Sequence, residues 1–373
     1  MYLKQLSLVN FKNYEQADLA FSEKINCFVG NNGVGKTNLL DAMHYLSLCK
    51  SYFNPSDSQN IRYNNDFFVI QGLYIRGDDE ENIYCGFKRN SRKQFKRNKK
   101  DYDKLSDHIG FIPAVMISPY DSRLIVEGSE ERRKFIDAVI AQYDKQYLED
   151  LIKYHRLLDQ RNKLLKSVSG KNKIDRDLFD VLDDQMIPLC ENIYTKRELF
   201  IDQLVPVFNK NYQFISQSND EKVGLVYVSQ LHDTDYRTLL SKSFEKDRIM
   251  EYTTMGIHKD DLELTLNTYS IKKVGSQGQQ KTFLVALKFA EFDFITQVNG
   301  FKPILLLDDI FDKFDESRVS QIIKLVSEEH FGQIFITDTD SARMKKILKA
   351  LEVSFHLFEV DKDGKLTLKD KRL

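Results

Sequence analysis

The sequence predicts an α/β fold with mixed and antiparallel sheets and a mostly helical lobe inserted between two halves. Three observations carry this. Apolar residues alternate as in strands near both ends of the chain. A glycine-rich loop joins an apolar strand to a helix close to the N-terminus. In the middle of the chain the apolar spacing turns helical.

In order, residues 2–9 alternate as a strand, and Ala17 to Phe21 and Ile25 to Val29 read as two more. The glycine-rich loop follows, then a helix from about Lys36 to Cys49. Phe67–Arg76, Ile83–Lys88 and Lys93–Arg97 have strand character with polar turns, which suits an antiparallel sheet. Pro113–Ile117 is a short apolar strand. After about Asp121, Phe135, Val139, Tyr143, Tyr147, Leu151, Tyr154 and Leu158 follow helical spacing, as do Leu178, Leu182, Met186, Leu189, Ile193, Phe200 and Leu204. "KSVSGKNKIDRD" between them reads as a hairpin connection. Pro188 and Pro206 are expected to limit the second helix, because proline lacks an N–H and clashes with the preceding turn. Strand-like segments resume at Gly224–Val228 and Leu262–Leu266. Then come a helix after Ser276, the strand "ILLLDD", a helix near Glu316–Glu329, the strand "QIFITD" and a terminal hairpin turning at Asp363–Gly364. Residues 1–122 and 255–373 are expected to form a discontinuous head, with 123–254 inserted as the helical lobe.

Composition narrows the function classes. The chain has 373 residues and a formal net charge of −1, so any nucleic-acid binding must come from a local patch rather than a global basic field. Its four cysteines, Cys27, Cys49, Cys85 and Cys190, show no metal-ligand spacing and suit a reducing cytosol. The N-terminus reads as a strand rather than a signal peptide, and no apolar run approaches the ~20 residues that span a membrane. The expectation is a cytoplasmic protein.

"GNNGVGKT" (Gly30, Asn31, Asn32, Gly33, Val34, Gly35, Lys36, Thr37) matches G-x-x-x-x-G-K-T, between one strand and one helix. Glycines let backbone N–H groups face a phosphate. Lys36 would reach the β- and γ-phosphates, and Thr37 would hold Mg²⁺. Such a loop needs a carboxylate on a neighbouring strand. "PILLLDDIF" supplies Asp308 for the metal and Asp309 where a base could orient water. Ser276 and Gln279 fit the capping box S-x-x-E/Q, which leaves Gly278 unexplained, since glycine in a first turn costs about 0.5–1 kcal/mol relative to alanine. A bare backbone at the positive end of a helix also suits an anion.

The order of glycine-rich loop, Ser276 segment and acidic strand resembles ABC-type P-loop ATPase heads. "NGVGKTN", with Asn38 after the threonine, narrows this to a resemblance to their SMC-like chromosome-maintenance branch. A DNA-repair member of that branch is similar over nearly the whole chain, through "LVNFKNY", "ISPYDSRLIVEGSEERRKFID", "YHRLLDQRNKLL", "GIHKDDLEL", "SQGQQK" and "LLLDDIFDKFD". The resemblance implies ATP bound by the loop, Asn38 and Lys12, with Ser276, Gly278 and Gln279 meeting the γ-phosphate held by a second protomer. It implies an ATP-dependent homodimer, single-/double-stranded DNA junctions as ligand, and partners that are recombination-mediator proteins of the RecO/RecR type. The departures are Ile257 for proline, Lys259 for arginine and Ser129 for proline. Asp338 stands where transporters carry a histidine, and Asp309 where they carry glutamate; both suggest slow hydrolysis. A transporter subunit, a structural SMC-like tether and a small-molecule kinase are the alternative readings. The large insertion and "SQGQQK" disfavour the first, the lack of sustained heptads the second, and the Ser276 segment between loop and acidic strand the third.

"KRNSRKQFKRNKK" (Lys88 to Lys100) holds eight Lys/Arg and no acid. Its Lys88, Arg89, Arg92, Lys93, Lys96 and Arg97, with Arg132 and Arg133 farther on, are candidate DNA-phosphate contacts; a solvated hairpin is the ordinary reading of such a run. No aromatic ladder accompanies either cluster, so backbone contacts with strong salt dependence are expected.

Overall fold

The computed structural model describes residues 1–170, 175–218, 220–311, 316–327, 330–350 and 353–372. The hairpin connection expected around 171–174, the end of the acidic segment at 312–315 and the helix end expected at 328–329 lie outside the described residues. The strands are β1 (Tyr2–Phe11), β2 (Tyr14–Ala20), β3 (Ile25–Val29), β4 (Phe67–Arg76), β5 (Asp79–Lys88), β6 (Gln94–Arg97), β7 (Lys100–Asp101), β8 (Ala114–Ile117), β9 (Val223–Val228), β10 (Asp261–Leu266), β11 (Tyr269–Ser270), β12 (Ile304–Leu307), β13 (Ile334–Asp338), β14 (Phe355–Val360) and β15 (Leu366–Arg372). The helices are α1 (Lys36–Leu48), α2 (Arg123–Val126), α3 (Ser129–Ala141), α4 (Lys145–Ser167), α5 (Asp177–Ser216), α6 (Tyr236–Met250), α7 (Ile271–Val274), α8 (Gln277–Asn299), α9 (Glu316–Ser327) and α10 (Ser341–Ala350).

Contacts group the chain into two units. The first holds Met1–Ser122, Asn211–Gln217 and Lys281–Leu373, and the second Arg123–Lys210 and Ser218–Gln280. The head half read from sequence as 255–373 is therefore divided near Lys281. The reason is β-pairing: Leu262–Leu266 pairs antiparallel with β9, inside the second unit.

Among the described residues the first unit carries two six-stranded sheets. One is antiparallel, in the order β2-β1-β4-β5-β6-β7; the other runs β15-β14-β3-β13-β12-β8, parallel except at β15. Strands β3, β12 and β13 are buried at every residue, as befits parallel strands covered on both faces. Helix α1 packs on both sheets, and Tyr45, Leu40, Phe11, Phe68, Phe28 and Phe335 belong to one continuous core. All four cysteines are buried and none forms a disulfide.

The second unit combines a three-stranded sheet, β11-β10-β9, with helices held by two buried arginines. Arg161 donates to Asp183 and Asp247 (both 2.8 Å), and Arg197 to Asp137 (2.8 Å) and Asp260 (2.9 Å). Arg161 comes from the "YHRLLDQRN" segment and Asp260 from "GIHKDD", so the first segment contributes buried ion pairs that tie α4 to α5 and α6, and the second contributes one that ties α5 to the loop before β10. The expected break at Pro188 and Pro206 does not occur: α5 is one 40-residue helix with both prolines inside. Each proline removes only one rung of the ladder, and burial of neighbours Met186, Ile187, Cys190 and Leu204 holds the flanking turns.

Candidate nucleotide site

In the first unit, β3 runs into Gly30 and the loop enters α1 through Gly33 (φ 82°) and Gly35 (φ 109°), left-handed values that favour glycine. Gly35 also lacks room, since a Cβ there would lie 2.3 Å from the Asn13 side-chain nitrogen. Asn13 Nδ2 donates to the Val34 carbonyl (3.0 Å) and Asn13 Oδ1 accepts from Asn38 Nδ2 (2.7 Å); the Tyr14 hydroxyl donates to the Gly35 carbonyl (3.1 Å). The turn between β1 and β2 thus braces the loop. Asn31, Asn32 and Gly33 are exposed at its tip, while Val34 and Gly35 are buried.

Lys36 is 4% exposed, and its Nζ donates to the carbonyls of Gly30 (2.8 Å) and Asn31 (3.0 Å). The ammonium is therefore folded back over the loop. Thr37 Oγ1 donates to Asp308 Oδ1 at 2.8 Å. This contact joins residues 271 apart in sequence, because β12 lies one strand from β3 across β13. Thr337 Oγ1 also donates to Asp308 (2.8 Å), and Ser118 Oγ reaches its other oxygen at 3.5 Å. Burial pushes the Asp308 carboxyl above the usual range, and the Thr337 and Thr37 hydroxyls oppose that in part. Asp309 takes a positive φ of 45°, with its N–H donating to Thr337 Oγ1 (2.9 Å).

Asp338 is buried and paired with Arg343 at 2.7 Å, and its carbonyl accepts from the Gly30 N–H (3.3 Å). The position filled by histidine in transporters is here closed by an ion pair. Lys12 sits at positive φ (52°) with its Nζ 2.5 Å from buried Asp41 on α1. Its charge is engaged by that carboxylate, which also accepts from Ser51 Oγ and the Tyr52 N–H. Sequence reading missed Asn13, Tyr14, Ser118 and Thr337. Only Asn13, Tyr14 and Ser118 fall in segments the resemblance had singled out.

In the second unit the capping box is formed. Ser276 Oγ accepts from the Gln279 N–H (3.2 Å) and Gln279 Oε1 accepts from the Ser276 N–H (2.8 Å). Gln279 Nε2 then donates to Glu221 (2.7 Å). Ser276 is exposed. The basic candidates divide. In the first unit Lys93 Nζ is tied to the Tyr45 hydroxyl (3.0 Å), the Cys49 carbonyl (2.6 Å) and Asp57 (3.0 Å), and Arg97 makes a two-pronged pair with Glu81 (2.5 and 2.8 Å). In the second unit Arg132 pairs with Asp261 (2.6 Å) and Arg133 donates to the Asp260 carbonyl (2.6 Å). These four hold local structure. Lys88, Arg89 and Arg92 are exposed, and Lys96 is half-buried beside Asp101 at 3.5 Å.

The sequence profile described as RecF/RecN/SMC N terminal domain matches residues 2–360. The DNA replication and repair protein RecF of Bacteroides thetaiotaomicron is 54% identical over 362 residues, covering 97% of each chain. The chain belongs to the RecF family. RecF of Flavobacterium johnsoniae is 49% identical over 360 residues, covering 96% of this chain and 100% of its own. Among solved structures, the recombination mediator protein RecF-ATP of the RecFOR pathway superposes with a TM-score of 0.88 at 30% identity, covering 99% and 98% of the two chains. An Smc head bound to the C-winged helix domain of ScpA gives 0.57 at 16% identity, a likeness of fold alone. The fold is that of an ABC-type ATPase head, as the resemblance implied. Among the described residues of this RecF-family chain, no helix is long and apolar enough to cross a membrane.

Proposed function

We propose that this protein is an ATP-dependent DNA clamp. It dimerises head to head on binding ATP, hydrolyses it slowly with stimulation by DNA, and acts in recombinational gap repair. The observation that carries the reading is Thr37 at 2.8 Å from Asp308, with Lys36 folded over the same loop. Thr37 and Asp308 form an oxygen donor set that suits Mg²⁺, which would neutralise phosphate charge there. Asp309 is the candidate to orient the attacking water.

Ser276 fits the trans contact without losing its structural role. A hydroxyl has one donor and two acceptor sites, so it can accept from the Gln279 N–H while donating to a γ-phosphate of another protomer. ADP lacks that group, so hydrolysis would loosen the dimer. Lys88, Arg89, Arg92, Lys96, Lys99 and Lys100 are the surface charges of the basic run that can meet DNA phosphate. Junctions of single and double strands, and mediator proteins of the RecO/RecR type, are the partners proposed from the family, and the cytoplasm is the proposed location.

Light scattering with ATP, ADP or no nucleotide, alongside DNA binding across salt, tests this. The expected result is a dimer with ATP only and DNA affinity that falls steeply with salt. A monomer under all three conditions would refute the clamp.

A further inference from the structure

The antiparallel sheet of the first unit has two unlike faces. One carries Ile70, Ile83, Cys85 and Phe95 into the core. The other bears a cross-strand row, Gln71 beside Tyr84 beside Lys96, in register through β4, β5 and β6. A groove of about 610 Å³ runs over it, lined by Gln71, Asn82, Tyr84, Gln94, Lys96, Asn98 and Lys99. That volume lies within the range of ligand sites. The lining holds amides, one aromatic ring and two cations, and no acid; Asp101, 3.5 Å from Lys96, stands at its edge.

Tyr84 gives the groove its character. Its ring lies along the strand over Gly86: a Cβ at Gly86 would meet the Tyr84 hydroxyl at 2.6 Å and two ring carbons at 3.1 Å. Gly86 has an ordinary φ, so its lack of a side chain serves this close approach rather than a turn. Covering a strand glycine with an aromatic ring stabilises a sheet, yet that device needs none of the surrounding amides or lysines. Lys99 is presented by the two-residue turn Asn98–Lys99, both at positive φ (50° and 70°), which joins β6 to β7.

We propose that this face binds unpaired DNA, with Tyr84 stacking on a base, Gln71, Asn82 and Gln94 meeting base edges, and Lys96 and Lys99 meeting phosphates. A ring on an open sheet can stack only on a base that is not already paired and stacked in a duplex, and amides match donor and acceptor edges without demanding one base. The inference rests on the DNA-binding reading above and adds where and in what form the strand is held.

The chain contains no tryptophan, so Tyr84→Trp introduces a single reporter. Its emission should be quenched by an oligo-dT strand and not by a duplex of equal length. Tyr84→Ala should weaken oligo-dT binding about 5- to 100-fold, with duplex binding and ATP-driven dimerisation unchanged. Lys96→Ala and Lys99→Ala should each lower the slope of log K against log salt by about 0.7. Oligo-dT affinity within twofold of wild type in Tyr84→Ala, with unquenched emission in Tyr84→Trp, would overturn the site while leaving the clamp standing. Quenching by a protein partner but not by oligo-dT would also overturn it. Absence of any DNA binding by the wild-type protein would remove both readings.

Discussion

The two halves of the proposed nucleotide site are finished in different ways. In the first unit the glycine-rich loop is braced by Asn13 and Tyr14, and Lys36 and Thr37 bond to carbonyls and to Asp308. In the second unit Ser276 is exposed and its bonds are those of a helix cap. The polar groups around the loop hold one another in position, so a change there touches binding and chemistry together. The Ser276 cap is complete within its own helix, so its structural and functional roles can be separated by substitution.

The largest effects belong to the loop. Asp308→Asn keeps an oxygen but removes the charge, and should lower single-turnover hydrolysis by about 10²–10³-fold, the size seen when one aligned electrostatic group is removed. Lys36→Met should weaken nucleotide binding itself, read by titration with a fluorescent ATP analogue. Wild-type turnover in Asp308→Asn would break the assignment of the metal carboxylate. Next comes Ser276→Arg, which puts a bulky cation at the positive end of α8. ATP binding should stay within about threefold, an interval too small for a lost phosphate contact, while ATP-driven dimerisation disappears from the scattering mass. A variant that dimerises normally would end the trans-contact idea.

The same contrast explains what was legible in the sequence. The loop and Asp308 have fixed spacing and sit on uninterrupted apolar strands, so their context could be read directly. Thr337 and Ser118 are single polar residues that reach the site only after strands far apart in sequence pair, and Asn13 reaches it from the turn of the β1–β2 hairpin; no spacing of their own marks a role at the site. The basic run divides in the structure because charge counted along a chain has no direction. Lys93 is drawn inward to Tyr45 and Asp57 and Arg97 to Glu81, leaving Lys88, Arg89, Arg92, Lys99 and Lys100 outside. Pro188 and Pro206 misled in the opposite sense, since local propensity yields where burial on both sides of a proline holds the helix.

Acid should act on the loop-bearing unit. His44 Nδ1 donates to the Lys50 carbonyl (3.1 Å), and His108 Nε2 donates to the Leu46 carbonyl (2.6 Å), both near the end of α1. Both rings are buried and, chiefly through that burial, pushed down to about 4. An unfolded histidine titrates near 6.5, so between pH 6.5 and 4 the unfolded chain binds more protons and stability rises with pH. Each ring should cost about 1.4 kcal/mol of stability per pH unit as pH falls through that window, levelling off near 4. Urea unfolding at pH 7.5, 6.5 and 5.5 measures it. His108→Gln should flatten the slope by about the share of one ring, and an unchanged slope would show that this ring is protonated in the folded state.

The smallest effect separates cap from contact at Ser276 most cleanly. Ser276→Ala and Gln279→Ala each remove one of the two reciprocal capping bonds. Each should cost about 1 kcal/mol of unfolding free energy, read as a shift in urea midpoint. Stability alone cannot tell them apart. Both ends of the Gln279 amide are already committed, to the Ser276 N–H and to Glu221, whereas the Ser276 hydroxyl keeps a donor for a phosphate oxygen. Only Ser276→Ala should therefore raise the ATP concentration needed for dimerisation. Equal weakening by both variants would mean that the helix end acts through its cap and dipole, and that the serine hydroxyl makes no contact of its own across the dimer.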